Sequence, residues 1–142
     1  MLQGWVGGGQ AFAVPEMPGY KRTVFHKGDY QVVDQYGSID EKSTGTTSIL
    51  FEGKTIWFMS YMGYYRKEDI PILKALLKKT YEKGEFIGGR GPVSAIAGPE
   101  CILYTNLLVE RSSFKRFRGE ETLCDSLGIR GCHGYWGAEV RT

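Results

Sequence analysis

Two hydrophobic periods alternate along this chain. From Tyr20 onward, apolar residues recur at every second position in short runs broken by glycine, the pattern of strands with one buried face. Residues 20–26 read as a strand, Lys27-Gly28 as a turn, and 29–36 as the hairpin partner. Residues 37–44 are polar and read as a connection, followed by a second hairpin, 46–51 with 54–62, across Glu52-Gly53. The period then changes. Ile70, Leu73, Leu76, Leu77 and Tyr81 fall on one stripe of a helix over 69–83, with Lys74, Lys78, Lys79 and Lys83 on its wet side. Asp69 is placed to cap that helix, Pro71 sits in its first turn and Gly84 ends it. Alternation returns in 91–97 and 100–109, joined across Gly98-Pro99, and in 120–126 and 129–136, joined near Leu127-Gly128. Residues 1–19 are rich in Gly and Pro and read as irregular, with a short strand near 11–14. Four strands, one helix and four strands predict an α+β domain, its sheet mostly antiparallel and the single helix packed on it.

The two runs of strands echo each other. Trp5-Val6-Gly7-Gly8 returns as Phe86-Ile87-Gly88-Gly89, and Gly45, Ile49, Tyr61 and Gly63 return as Gly119, Leu123, Tyr135 and Gly137. Between these anchors, Tyr30, Val32 and Val33 align with Cys101, Leu103 and Tyr104, which makes the loop around 111–118 a three-residue insertion in the second copy. Residues 1–142 are therefore expected to be a single domain with an internal duplication, about 4–64 and 85–140, and a groove where the halves meet. In the second copy a helix precedes the Gly-rich segment, whereas only residues 1–4 precede it in the first.

Bulk properties narrow the function classes. The chain has 142 residues, 42% hydrophobic and 24% charged, with 20 Gly and 13% aromatics, enough for one real core and typical of a globular protein. A net charge of +2 disfavours nucleic acid or a membrane surface as partner. No apolar run reaches the roughly 20 residues that span a bilayer, and the first residues lack the basic and apolar regions of a leader. Three cysteines without disulfide spacing fit a cytoplasmic protein with reduced thiols.

Pro18-Gly19, Gly28-Asp29-Tyr30, Asp34-Gln35-Tyr36-Gly37, Gly53-Lys54 and Trp57-Phe58-Met59-Ser60-Tyr61-Met62-Gly63, with Phe117-Arg118-Gly119-Glu120-Glu121 and Tyr135-Trp136-Gly137, carry a resemblance over nearly the whole chain. The chain resembles a prokaryotic domain-of-unknown-function family found alone or fused to helix-turn-helix regulators. It departs from that pattern at Ser43-Thr44-Gly45-Thr46-Thr47, where a Phe-x-Gly-x-Glu motif is usual, and in lacking the family's N-terminal helix. The resemblance implies a small intracellular, sensory domain and carries no activity with it.

Alternation names the candidate site. Tyr30, Asp34 and Tyr36 share the even face of their strand with Val32, and Trp57, Met59 and Tyr61 share the odd face of theirs, opposite Gly131, His133 and Tyr135 in the repeat. The 54–62 strand is apolar on both sides and is expected to be central and covered on both faces. These stripes predict an aromatic groove binding a small molecule, with Trp57, Tyr61 and Tyr135 as stacking surface and Asp34 and His133 as polar anchors. The competing reading is a packed aromatic core whose tyrosine hydroxyls are satisfied by neighbours. A second hypothesis is a small enzyme using His133 or Asp34 as general base in the same groove. The third is an interaction module built on Arg111, Lys115, Arg116 and Arg118, with Phe114 and Phe117 free to stack on unpaired bases. The low charge favours a solvated loop or a subunit contact there, which leaves a homodimer open. Arg90, in a Gly-rich crossover, is a weaker anion candidate. Glu120 and Glu121 are expected on opposite faces, as surface carboxylates beside Arg116 or Arg118. No catalytic signature is present. No metal is expected, because Cys132 and His133 alternate to opposite faces and cannot join Cys124 at one ion. No cofactor is expected, and the thiols of Cys101, Cys124 and Cys132 are expected to be buried and inert.

Overall fold

A computed structural model describes residues 10–140. The expected α+β fold is present: one antiparallel sheet of nine strands and a single helix. The strands are β1 (Ala11–Ala13), β2 (Tyr20–Lys27), β3 (Tyr30–Ile39), β4 (Lys42–Phe51), β5 (Lys54–Tyr64), β6 (Ser94–Ala97), β7 (Ile102–Leu108), β8 (Arg116–Asp125) and β9 (Gly128–Glu139); a 3-10 turn (Lys67–Asp69) leads into α1 (Ile70–Glu82). Their order across the sheet is β1-β2-β3-β4-β5-β9-β8-β7-β6. Each half is a meander, and the halves meet at the β5–β9 pair. The Trp5–Gly8 echo lies outside the described residues. Among those residues, no helix is long and apolar enough to cross a membrane.

Turn chemistry sets the registers. Glu52 and Gly53 both take positive φ (49° and 78°), as the tightest hairpin turns require. Residues 37–44 are not a loop: β3 runs on to Ile39 and β4 begins at Lys42, with Asp40 at φ 55° in the turn. The polar letters that suggested a connection alternate on a half-solvated hairpin. The registers of the two halves are equivalent. Gly45 faces Tyr61 as Gly119 faces Tyr135, and both ladders slip at the same place, after Ile49 and after Leu123. Tyr61 pairs with Tyr135 across the centre, so the pseudo-twofold passes between them. The middle strands correct the alignment by one residue. Val32 opposes Ile49 and Tyr104 opposes Leu123, so Val32 matches Tyr104 and Asp34 matches Asn106. The insertion in the second half is thus two residues long, not three.

The helix packs its leucines on the second half and stands over part of the first without filling the space beneath. Leu73, Leu76 and Leu77 pack with Ile102, Tyr104 and Leu123, while Trp57, Met59, Phe117 and Tyr135 form a second cluster at the seam. Asp69 makes no capping bond. Instead its carboxylate accepts two hydrogen bonds from Arg130, Nε at 2.9 Å and an Nη at 2.8 Å, and Arg130 also binds Asp125 at 2.9 Å. That clamp fixes the start of the helix to β9. The expectation that β5 is covered on both faces does not hold: Met62 is 66% exposed and Trp136 55%. Among the described residues, the apolar side chains of the outer face lean on each other, with Phe58 edge-on to Trp136 at 5.7 Å.

The registers make the glycines opposite the central tyrosines sterically obligatory. A Cβ on Gly45 would lie 2.5 Å from the Tyr61 ring and 2.8 Å from the Gln35 carbonyl oxygen, whereas one on Gly134 meets nothing within 4 Å. Gly45→Ala is expected to lower stability by about 1–3 kcal/mol and Gly134→Ala to stay within about 0.5 kcal/mol of the parent, read from urea unfolding midpoints.

Candidate functional site

In the second half the inner face of the sheet is filled by a buried ion pair. Glu121, on β8, is fully buried. It accepts hydrogen bonds from Arg90 (Nε at 3.0 Å, with Nη2 on the same oxygen), from Tyr65 at 2.5 Å and from Tyr104 at 2.6 Å. Burial alone would push the Glu121 carboxyl up, but the Arg90 charge and these donors outweigh it and hold the carboxyl below its usual range. Burial, and then the Glu121 charge, push the Tyr65 and Tyr104 hydroxyls up, so both stay protonated donors. The backbone around Arg90 is fixed as well. Asn106 Nδ2 donates to the carbonyls of Ile87 at 2.9 Å and Gly91 at 2.8 Å, and the Gly91 amide donates to the Tyr104 hydroxyl at 3.1 Å.

The first half repeats the scaffold without the filling. Asp34 stands where Asn106 does, Tyr61 where Tyr135 does, and Thr47 where Glu121 does. The Tyr61 hydroxyl donates to Asp34 Oδ1 at 2.9 Å, as the Tyr135 hydroxyl donates to Asn106 Oδ1. Thr47 also donates to Asp34 Oδ1, at 3.1 Å, and Oδ2 takes neither bond. With Thr47 in place of a glutamate, a cavity of about 290 Å³ remains between the sheet and α1. Phe25, Val32, Tyr36, Met59 and Tyr61 form its sheet side, Leu73 and Tyr81 its helix side, and Ser38, Asp40, Glu41 and Lys67 its polar rim. Burial raises the Asp34 carboxyl above its ordinary range, against the hydrogen bonds of Tyr61 and Thr47 and the charge of Arg90.

His133 stands at the seam, 4% exposed, stacked on Tyr65 at 4.4 Å and Tyr61 at 6.1 Å between ring centres. Its Nε2 is 2.9 Å from Ser43 Oγ, and its Nδ1 is buried without a partner, as is Thr23 Oγ1. Burial, then the Arg90 charge, pull its pKa down to about 4, so the ring is neutral at pH 7.

The structure brings together five of the eight residues expected in the groove: Asp34, Tyr36, Met59, Tyr61 and His133. It withdraws the other three. Trp57 is 1% exposed, sandwiched between Phe114 at 5.4 Å and Phe117 at 5.5 Å, with its Nε1 donating to the Phe114 carbonyl at 3.0 Å. Tyr135 is buried against Phe117 and bonded to Asn106, and Tyr30 is half exposed against Phe51. The packed-core reading is correct for Trp57 and Tyr135. Phe114 and Phe117 stack on Trp57, Phe117 buried and Phe114 41% exposed, and Arg111, Lys115, Arg116 and Arg118 are exposed. Glu121, expected at the surface, is among the most buried groups, because β8 turns its odd positions inward beneath Arg90. Arg90 lines the cavity with its charge already engaged by Glu121. Cys101 lies exposed in a turn at φ 51° rather than buried, and Cys124 and Cys132 are half-buried. Among the described residues, no three His, Cys, Asp or Glu side chains are grouped to hold a metal. Sequence reasoning missed Thr23, Ser43, Thr47, Tyr65 and Tyr81 in the cavity wall; for Thr47 the signal was present, since the Gly45–Gly119 match sets it on Glu121. No protein-family model, curated protein or solved structure matches the chain.

Two outcomes test this electrostatic picture. Glu121→Gln leaves Arg90 buried without a counter-charge and is expected to cost about 3–5 kcal/mol in chemical unfolding. His133 has a folded pKa of about 4 against an ordinary 6.5, so the unfolded chain binds its proton first. Its contribution is present above pH 6.5 and is lost as pH falls toward 4, by on the order of 3 kcal/mol. The difference in unfolding free energy between parent and His133→Gln is expected to change across that window and be flat above pH 7.

Proposed function

We propose that this protein is a non-enzymatic small-ligand-binding or sensor module whose ligand occupies the cavity of the first half. One observation carries the reading: at equivalent positions the second half is packed solid by Arg90 and Glu121, while the first half has Thr47 and open space. The cavity volume lies at the lower end of the roughly 300–1,000 Å³ usual for small-molecule sites, and its wall has the usual character of aromatic and aliphatic surface with few polar groups. The ligand is therefore small, about one ring with a short chain. A sensory, cytoplasmic role accords with the family resemblance carried by Trp57–Gly63.

The enzyme reading draws on the Ser43–His133 contact at 2.9 Å. It is the weaker one, because a general base needs a pKa near the working pH and an oriented ring, whereas His133 is held neutral far below that pH and its Nδ1 has no acceptor to orient it.

Ligand-observed NMR against a library of one- and two-ring metabolites tests the proposal. Hits are expected to be lost in Val32→Phe, which narrows the cavity, and retained in Met62→Ala on the opposite face. No hit at millimolar concentration, or hits indifferent to Val32→Phe, would count against it.

A further inference from the structure

The charges around the cavity are unbalanced in a way that specifies its ligand. Asp34, Asp40 and Glu41 face or rim the space, and among the described residues Lys67 is the one lining cation outside an ion pair, since Arg90 is tied to Glu121. Asp34 is the deepest of the three acids. Its Oδ1 holds two hydrogen bonds from Tyr61 and Thr47, and Oδ2 takes neither of them. Asp34 is partly withdrawn from water, and the Arg90 charge that acts on it is already engaged by Glu121, so a further positive charge beside Oδ2 would stabilise the carboxylate. On the neighbouring strand Thr23 pairs directly with Asp34, and its buried hydroxyl, also on the cavity wall, has no protein partner among the described residues. The rings of Tyr36 and Tyr61 stand beside this point, and aromatic faces attract cations.

We infer that the cavity takes a protonated amine on an apolar body of about one ring, its ammonium bonded to Asp34 Oδ2. The inference rests on the small-ligand reading of the same cavity and adds the chemical class. Binding would supply the positive charge that the second half obtains from Arg90, so the ligand's ammonium and Arg90 play corresponding parts in the two halves.

Three matched probes test it with the full chain at pH 7: 2-phenylethylamine, 2-phenylethanol and 3-phenylpropanoate, each titrated by ligand-observed NMR. The amine is expected to bind about tenfold more tightly than the alcohol, the usual margin for a charge-assisted bond over a neutral one, and the carboxylate more weakly than both. Asp34→Asn is expected to abolish the amine's advantage over the alcohol. This variant keeps a carbonyl acceptor for Tyr61, as Asn106 already does for Tyr135; should it fail to fold, the ratios on the parent protein decide alone. An alcohol or carboxylate that binds as well as the amine, or an amine preference that survives Asp34→Asn, would overturn the assignment of class and leave the ligand-binding reading standing. If none of the three binds at about 10 mM, both fall.

Discussion

The buried pair of Arg90 and Glu121 is the constraint around which the inner face of this sheet is organised. Neither charge is tolerable there alone. Satisfying Glu121 draws the hydroxyls of Tyr65, from the end of β5, and Tyr104, from β7, to one point. Satisfying Arg90 requires the crossover after α1 to pass over β7 and β8, where Asn106 and Tyr104 hold its backbone. The helix follows, packing its leucines on Ile102 and Leu123 while the Asp69–Arg130 clamp fixes its other end.

The open half is the consequence. The ladders of the two halves match in register about the Tyr61–Tyr135 pair. Tyrosine, glycine and an Asx acceptor are kept in both, because each glycine makes room for the ring opposite it and each Asx holds a hydroxyl. What differs is the residue beside the acceptor: glutamate with its arginine in one half, Thr47 in the other. The scaffold is conserved between halves by packing, and the cavity arises where the packing group is small.

Much of this was legible in the sequence, because period and turn chemistry are local. The helix, the hairpin turns at Glu52-Gly53 and Gly98-Pro99, and the matched Gly45 and Gly119 needed no tertiary information. The shared face of Asp34 and Tyr36 followed from alternation alone. What failed depended on partners distant in sequence. Glu121 looks like any surface acid until Arg90 is placed over it. Trp57 looks like a binding surface until Phe114 and Phe117 close on both sides of it. The one-residue error in aligning 30–33 with 101–104 arose because apolar letters fit two registers, and only the ladder to β4 and β8 chooses between them. Asp69 reads as a helix cap, and its carboxylate is used by an arginine 61 residues away.

Methionine methyl NMR shows whether a ligand enters the first-half cavity. Met59 lines that cavity and Met62, three residues on, lies on the opposite face of the same strand. With methyl-labelled protein and 2-phenylethylamine, or the tightest library hit, the Met59 methyl is expected to show a saturable shift with Met62 unmoved. A shift confined to Met62, or none at either methyl while the ligand is bound, would contradict entry into the cavity.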